Sequence, residues 1–291
     1  MALININLLK GIYSRFNPDF KKPTRTVKDL EKIPSGSLLR YYSNVYSQVG
    51  QDGIIREIFR RLDIEKGYFC EFGAWDGVLH SNTRWLYEIG WDGLYIEPDM
   101  KKFKVLKKNI SIQNKKDQIR CYQGFVGYDE KNEDKLKLDK IFKKYSCPKD
   151  IDLLVVDIDG YDLEVFLAGN VRPKLVVMEG GTNLNPNINK PFEYFKIHQH
   201  PLTYISNSMN KKGYKLICFL QDSFFIRSDF FDKLNLFNIS LKPKDLYKDH
   251  FNFRGEEFRN SIINLRKNSE RIKLLEQNLI GKFEPDPTFD F

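Results

Sequence analysis

The 291-residue sequence predicts an α/β fold: a doubly wound, mostly parallel sheet closed by an antiparallel strand, with helical extensions at both ends. Three observations carry this expectation. From Gly67 onward, apolar runs of strand length take turns with helix-like segments, the order of a sheet wound with crossover helices. Several of the runs are apolar without a break, as parallel strands covered on both faces are. The last two, KGYKLICFL and DSFFIRSD, lie only a few residues apart around Gln221-Asp222. That is too close for a parallel crossover, so they form an antiparallel hairpin.

Along the chain, residues 1–42 form a mixed, basic, helical extension, 43–240 the α/β domain and 241–291 a helical tail. Strands are expected at Tyr68–Phe72, Leu94–Glu97, Ile119–Gln123, Leu153–Ile158, Leu175–Glu179, Tyr214–Phe219 and Ser223–Arg227. Helices fit at Ser81–Ile89, Met100–Asn109, Glu133–Tyr145, Tyr161–Ala168 and Thr203–Lys212. Ser81 is a good N-cap, and Trp85, Leu86 and Ile89 give the helix behind it an inward face. In the tail, Ile262, Ile263, Leu265, Ile272, Leu274, Leu275, Leu279 and Ile280 make a loose apolar stripe. It packs on its own body or on a second copy, which would make a homo-oligomer.

Composition narrows the partners. Hydrophobic residues make up 41% of the chain, enough for one large core. No run approaches the ~20 apolar residues of a membrane-spanning helix. The start, MALININLLKGIYSRF, has neither a basic n-region nor a small-residue cleavage site, so no secretory signal is expected. Cys70, Cys121, Cys147 and Cys218 match no metal or C-x-x-C spacing, which fits a reduced, cytoplasmic protein. The net charge is +8, and residues 101–150 alone hold 15 Lys/Arg against 7 Asp/Glu. These lysines read as a solvated face, and no aromatic-basic module for nucleic acid stands out.

Chemistry gathers at strand ends. Residues 70–77, CEFGAWDG, end a strand in Glu71 and place Gly73 and Gly77 around Asp76. Glycines let the backbone turn tightly or a ligand approach closely, while the carboxylates argue against phosphate. A neutral or cationic ligand is expected. A second strand ends in Glu97, 26 residues after Glu71, where an acidic residue can hold the ribose hydroxyls of an adenosine cofactor. Asp157 and Asp159, in DIDGYD, should share a face if their strand runs on, beside Glu179 of the next strand. Such carboxylates can bind Mg²⁺ through Asp159 and Glu179, act as general base, or hydrogen-bond substrate hydroxyls. Asp162 is expected to be structural. In the polar segment from Gly180 to Pro201, His198 and His200 can take a proton near neutrality or be plain loop residues. His80 is a further substrate-contact candidate.

Four blocks, in this order and spacing, resemble the FkbM-like S-adenosylmethionine-dependent methyltransferases: YSQVGQD at 46–52, GYFCEFGAWDGVLHSNTRWLYEIGWDGLYIEPD, LLVVDIDGYDLEVF, and KKGYKLICFLQDSFFIRSDFFDKL. The likeness spans roughly residues 43–235. It implies a class I methyltransferase sheet of seven strands with an antiparallel last strand. Its cofactor, S-adenosylmethionine, is a sulfonium cation that suits an acidic turn. Carried over by position, Glu71, Gly73, Ala74 and Asp76 would line the methionine side and Glu97 the ribose. Ser47, Gln48 and Gln51 would close the pocket, Asn82 would stand near the carboxylate, and Phe125 and Val126 would flank adenine. The resemblance points to O-methylation of a sugar, sugar nucleotide or other polar small molecule, in surface-polysaccharide or natural-product biosynthesis. The alternatives are an RNA or protein methyltransferase, or a non-catalytic cofactor- or nucleotide-binding protein.

Overall fold

The computed structural model describes residues 33–111, 118–128, 136–182, 184–191 and 199–250. Most of the two extensions, including the apolar stripe of the tail, therefore lies outside the described residues. Seven strands form one sheet in the order β3-β2-β1-β6-β7-β9-β8. They are β1 (Tyr68–Phe72), β2 (Asp92–Glu97), β3 (Ile119–Gln123), β6 (Leu153–Val156), β7 (Leu175–Glu179), β8 (Tyr214–Leu220) and β9 (Asp222–Arg227). Two further short strands, β4 (Val126–Gly127) and β5 (Leu136–Lys137), pair in parallel away from the sheet. Strands β3, β2, β1, β6 and β7 run parallel, and β9 runs antiparallel to both of its neighbours. The predicted hairpin turns on Gln221 alone, which takes a left-handed φ of 62°.

Alternation along each strand sends side chains to two covered faces. Phe69, Tyr95, Leu153, Val155 and Val177 meet Ile54 and Ile58 of α1 (Gln51–Arg61), Leu86 of α2 (Arg84–Glu88) and Leu106 of α3 (Met100–Ser111). On the opposite face, Phe72, Ile96, Val156 and Met178 meet Ile141 of α4 (Leu138–Lys144), Phe166 of α5 (Asp162–Ala168) and Met209 of α6 (Leu202–Lys211). Leu246 and Tyr247, in a helical stretch at 243–250, complete that layer. The product is a three-layer α/β/α sandwich. Its winding reverses between β1 and β6, and a crevice opens at the carboxyl ends of strands where such a reversal occurs.

Three local departures from the expected elements matter for the site. Helix α1 was not among the predicted helices. Helix α2 begins at Arg84 instead of Ser81: Ser81 Oγ still accepts the Arg84 N–H at 3.0 Å, but the Ser81 and Thr83 hydroxyls and the Asn82 N–H turn to Glu71. Strand β6 stops at Val156, and Asp159 adopts a left-handed φ of 57°, so Asp157 and Asp159 belong to a turn and not to one strand face.

Candidate active site

The crevice is a cleft of about 1000 Å³ over the ends of β1, β2, β3, β6, β7 and β9. Its floor is set by close backbone crossings. Gly73 has φ +80°, and a Cβ there would stand 1.6 Å from the Asp157 carbonyl oxygen, so only glycine lets β1 and β6 end this close together. Asp157 N–H donates to the Phe72 carbonyl at 3.2 Å, and Ala74 N–H donates to that of Ile96 at 3.1 Å.

Glu71 is buried and lines the cleft. It accepts hydrogen bonds from Ser81 Oγ at 2.7 Å, Thr83 Oγ1 at 2.6 Å and Asn82 N–H at 2.8 Å. Burial pushes its carboxyl up to about 7, against the lowering effect of those three donors. Glu97 is buried as well, and its two oxygens accept from Trp75 N–H and Asp99 N–H, both at 2.7 Å. Burial raises this carboxyl too, and the two backbone donors oppose the rise. The two acidic strand ends thus fix the turn and the loop that flank the cleft while remaining part of its lining.

Across the cleft, Asp157, Asp159 and Glu179 each present a carboxylate oxygen, all within 4.8 Å of one another. Oxygen ligands at this spacing can hold a hard divalent cation. Glu179 accepts from Gln199 Nε2 at 2.7 Å, and a hydrogen bond links it to Asp157. Asp157 opens onto the cleft but is walled by protein on its other sides. Burial first, then like charge nearby, raises both Asp157 and Glu179, so the pair retains protons that isolated carboxylates would lose. Asp162 caps the turn beneath, accepting from Ile158 N–H at 2.9 Å and Gly160 N–H at 3.0 Å.

Of the residues expected at the site, Gln48, Gln51, Glu71, Gly73, Ala74, Asn82, Glu97, Phe125, Val126, Asp157, Asp159 and Glu179 all line the cleft, as does His80. Three others do not. Ser47 is fully buried and bonds Asp52, whose Oδ2 also collects the N–H groups of Val45, Tyr46 and Ser47 at 2.7–2.9 Å. Asp76 spends Oδ1 on Val78 N–H and Leu79 N–H at 2.9 and 2.8 Å, closing its own turn. The His200 ring is buried against Glu164 Oε1 at 2.7 Å, on the flank of α5. In each case a partner within the fold claims the polar group. His198 lies outside the described residues.

Asp222 was missed. It opens β9 as the register partner of Glu179, lines the cleft and accepts from Gln51 Nε2 at 2.8 Å. Burial, then Asp157, pushes it up to about 7. The only sequence signal was its place in the last resembling block. A profile described as the methyltransferase FkbM domain matches residues 71–216, half of the chain. The chain belongs to this family.

It is accordingly an S-adenosylmethionine-dependent methyltransferase, and the non-catalytic alternative falls away. The match covers the acidic strand ends at Glu71, Glu97, Asp157 and Glu179, but neither the 46–52 block nor the closing hairpin. Solved methyltransferase structures match the chain at low identity and low TM-score. A Staphylococcus aureus protein provisionally named a caffeoyl-CoA O-methyltransferase is 13% identical, with a TM-score of 0.43 over 77% of this chain and 99% of that one. Magnesium protoporphyrin IX methyltransferase of Synechocystis, with bound SAH, is 8% identical, with a TM-score of 0.42 over 76% and 96%. A TehB-like methyltransferase of Corynebacterium glutamicum is 13% identical, with a TM-score of 0.36 over 59% and 87%. No curated protein matches the chain. Among the described residues, no helix is long and apolar enough to cross a membrane.

Proposed function

We propose that this methyltransferase transfers the methyl group of S-adenosylmethionine to a hydroxyl of a sugar or similar polar small molecule. The setting would be polysaccharide or natural-product biosynthesis in the cytoplasm. The observation that carries the reading is the carboxylate cluster of Asp157, Asp159 and Glu179, facing the cleft across from the Glu71 and Glu97 strand ends. Gly73 and Ala74 would follow the methionine chain of the donor, Glu97 would meet its ribose, and Phe125 and Val126 its adenine.

Transfer to an alcohol oxygen needs an aligned acceptor and a weakened O–H bond. A carboxylate of the cluster can take the proton directly. Asp159 and Glu179, with Asp157, also fit Mg²⁺, which would supply Lewis-acid polarisation of the acceptor oxygen when bound. A lining of seven acidic residues with no lysine or arginine, among the described residues, speaks against RNA at this site. It also leaves no counter-charge for a diphosphate inside, so a sugar nucleotide would have to keep its phosphates at the rim.

Labelled donor, offered with a panel of sugars, sugar nucleotides, RNA and protein, tests the reading. A sugar product heavier by one methylene unit, with the methyl on oxygen, is expected; transfer confined to RNA, protein or nitrogen refutes it. Asp159→Asn and Glu179→Gln should slow transfer about 100-fold or more and leave donor affinity within a few-fold. Loss of activity on chelation, restored by Mg²⁺, selects the metal over the plain base.

A further inference from the structure

One corner of the cleft holds groups that methyl transfer to an alcohol does not require. Asp222 is 5% exposed, and its carboxylate takes hydrogen bonds from the side chains of Gln51 and Asn82. Asn82, also 5% exposed, lines the cleft, and its Oδ1 has no hydrogen-bond partner among the described residues. The bond to Asp222 uses the amide nitrogen, which fixes the oxygen as the end left over. Glu179 stands on the strand position paired with Asp222.

A buried carbonyl oxygen without a donor is costly, and a ligand that supplies the donor relieves that cost. The charge of the corner sets the ligand's sign. Among the described residues, no ion pair involves Asp157, Asp159, Glu179 or Asp222, and no lysine or arginine lines the cleft. A phosphate or carboxylate would be repelled there, and a neutral hydroxyl would offer one donor to several acceptors. An ammonium carries a positive charge and three N–H donors, which Asn82 Oδ1 and Asp222 can accept.

We propose that Asn82 and Asp222 bind a protonated amine on the acceptor, so that the acceptor class is an amino sugar or related amino alcohol. The proposal rests on the reading of this cleft as the site of O-methyl transfer. The resemblance would set Asn82 near the donor's carboxylate; its bond to Asp222, with no lysine or arginine in the lining among the described residues, assigns it to the acceptor instead. The donor's own ammonium is expected along the Gly73–Ala74 turn after β1, whereas Asp222 opens β9, beyond β6 and β7 in the sheet.

The test uses the full chain saturated with demethylated donor, in chelator, near pH 6.5, below the range in which such amines lose their proton. Glucosamine, N-acetylglucosamine and glucose are titrated by saturation-transfer NMR. Glucosamine should bind about tenfold more tightly than either neutral sugar, and Asp222→Asn should erase that preference while demethylated-donor affinity stays within about threefold. Equal binding of the neutral sugars, no binding of glucosamine, or a parallel loss of donor affinity in the variant overturns the proposal. If Asp222→Asn does not fold, the wild type is titrated again near pH 9, where the amine is largely neutral; a preference for glucosamine that persists there overturns the proposal. Failure of the wild type to bind the demethylated donor would instead strike the methyl-transfer reading, so the two failures are distinguishable.

Discussion

Replacing Glu71 by glutamine should flatten the pH dependence of stability. In the native chain this carboxyl sits near 7, against 4.5 when unperturbed, chiefly because it is buried. A carboxyl whose folded value is raised binds more protons folded than unfolded between those two values. Its contribution is therefore fully present below about pH 4.5 and is lost as the pH climbs through about 7. At about 1.4 kcal/mol per pH unit, the gap amounts to about 3 kcal/mol. Glutamine keeps the shape and cannot ionise. With its oxygen kept toward Asn82 N–H, it places an N–H₂ where the Ser81 and Thr83 hydroxyls now donate, and these can rotate to accept; the residual loss is about 1 kcal/mol. Glu71→Gln should thus be about 1 kcal/mol less stable than wild type at pH 4, about equal at pH 5 and about 2 kcal/mol more stable at pH 8. Urea denaturation of both proteins in chelator, at several pH values, reads this directly, since the other carboxyls are common to the two. Parallel stability profiles would refute the assignment of a buried, proton-retaining Glu71.

Gly73→Ala places a Cβ 1.6 Å from the Asp157 carbonyl at a φ of +80°; a loss on the order of 3 kcal/mol is expected by denaturation, and donor binding should go with it. His200→Ala breaks the buried contact with Glu164 and should cost about 2 kcal/mol, with transfer rates per folded molecule within about threefold of wild type. A rate loss of a hundredfold would return His200 to the chemistry. Asp76→Ala removes two N–H partners from a turn and should cost about 1 kcal/mol, with donor affinity measured by calorimetry falling less than about tenfold.

Where sequence reasoning succeeded and failed follows from how local each signal is. The β8–β9 hairpin was legible because connection length alone forbids a crossover, and the strand ends at Glu71 and Glu97 because an acidic residue closes each apolar run. Helix α1 was obscured by Gly53, which lowers helix propensity; its glycine answers a distant contact, since a Cβ there would meet the Tyr41 carbonyl oxygen at 2.1 Å. Asp222 looked like an ordinary turn residue, and nothing near it in sequence marks its bond to Gln51, 171 positions earlier. Ser47, Asp76 and His200 show the converse. Their residue types suit a site, but Asp52, the 76–79 turn and Glu164 engage them first. Sequence reports what a side chain can do, and only the fold decides which partner it does it with.

The same distinction governs charge. The net +8 and the lysine surplus of residues 101–150 point toward anionic partners. Lys101, Lys104, Lys107 and Lys108 are, however, exposed along the outer face of α3, where water and salt screen them over about 8 Å at physiological ionic strength. Lys102 rests over the exposed Trp75 ring at 3.8 Å, at the rim of the cleft. Inside, the carboxylates of Glu71, Glu97, Asp157, Asp159, Glu179 and Asp222 meet no lysine or arginine among the described lining residues, in surroundings that screen far less. The field felt by a bound ligand therefore takes its sign from those lining carboxyls that ionise and not from the chain total. A molecule with a cationic end and an anionic end would enter cation first, leaving its anion toward Lys102 at the rim.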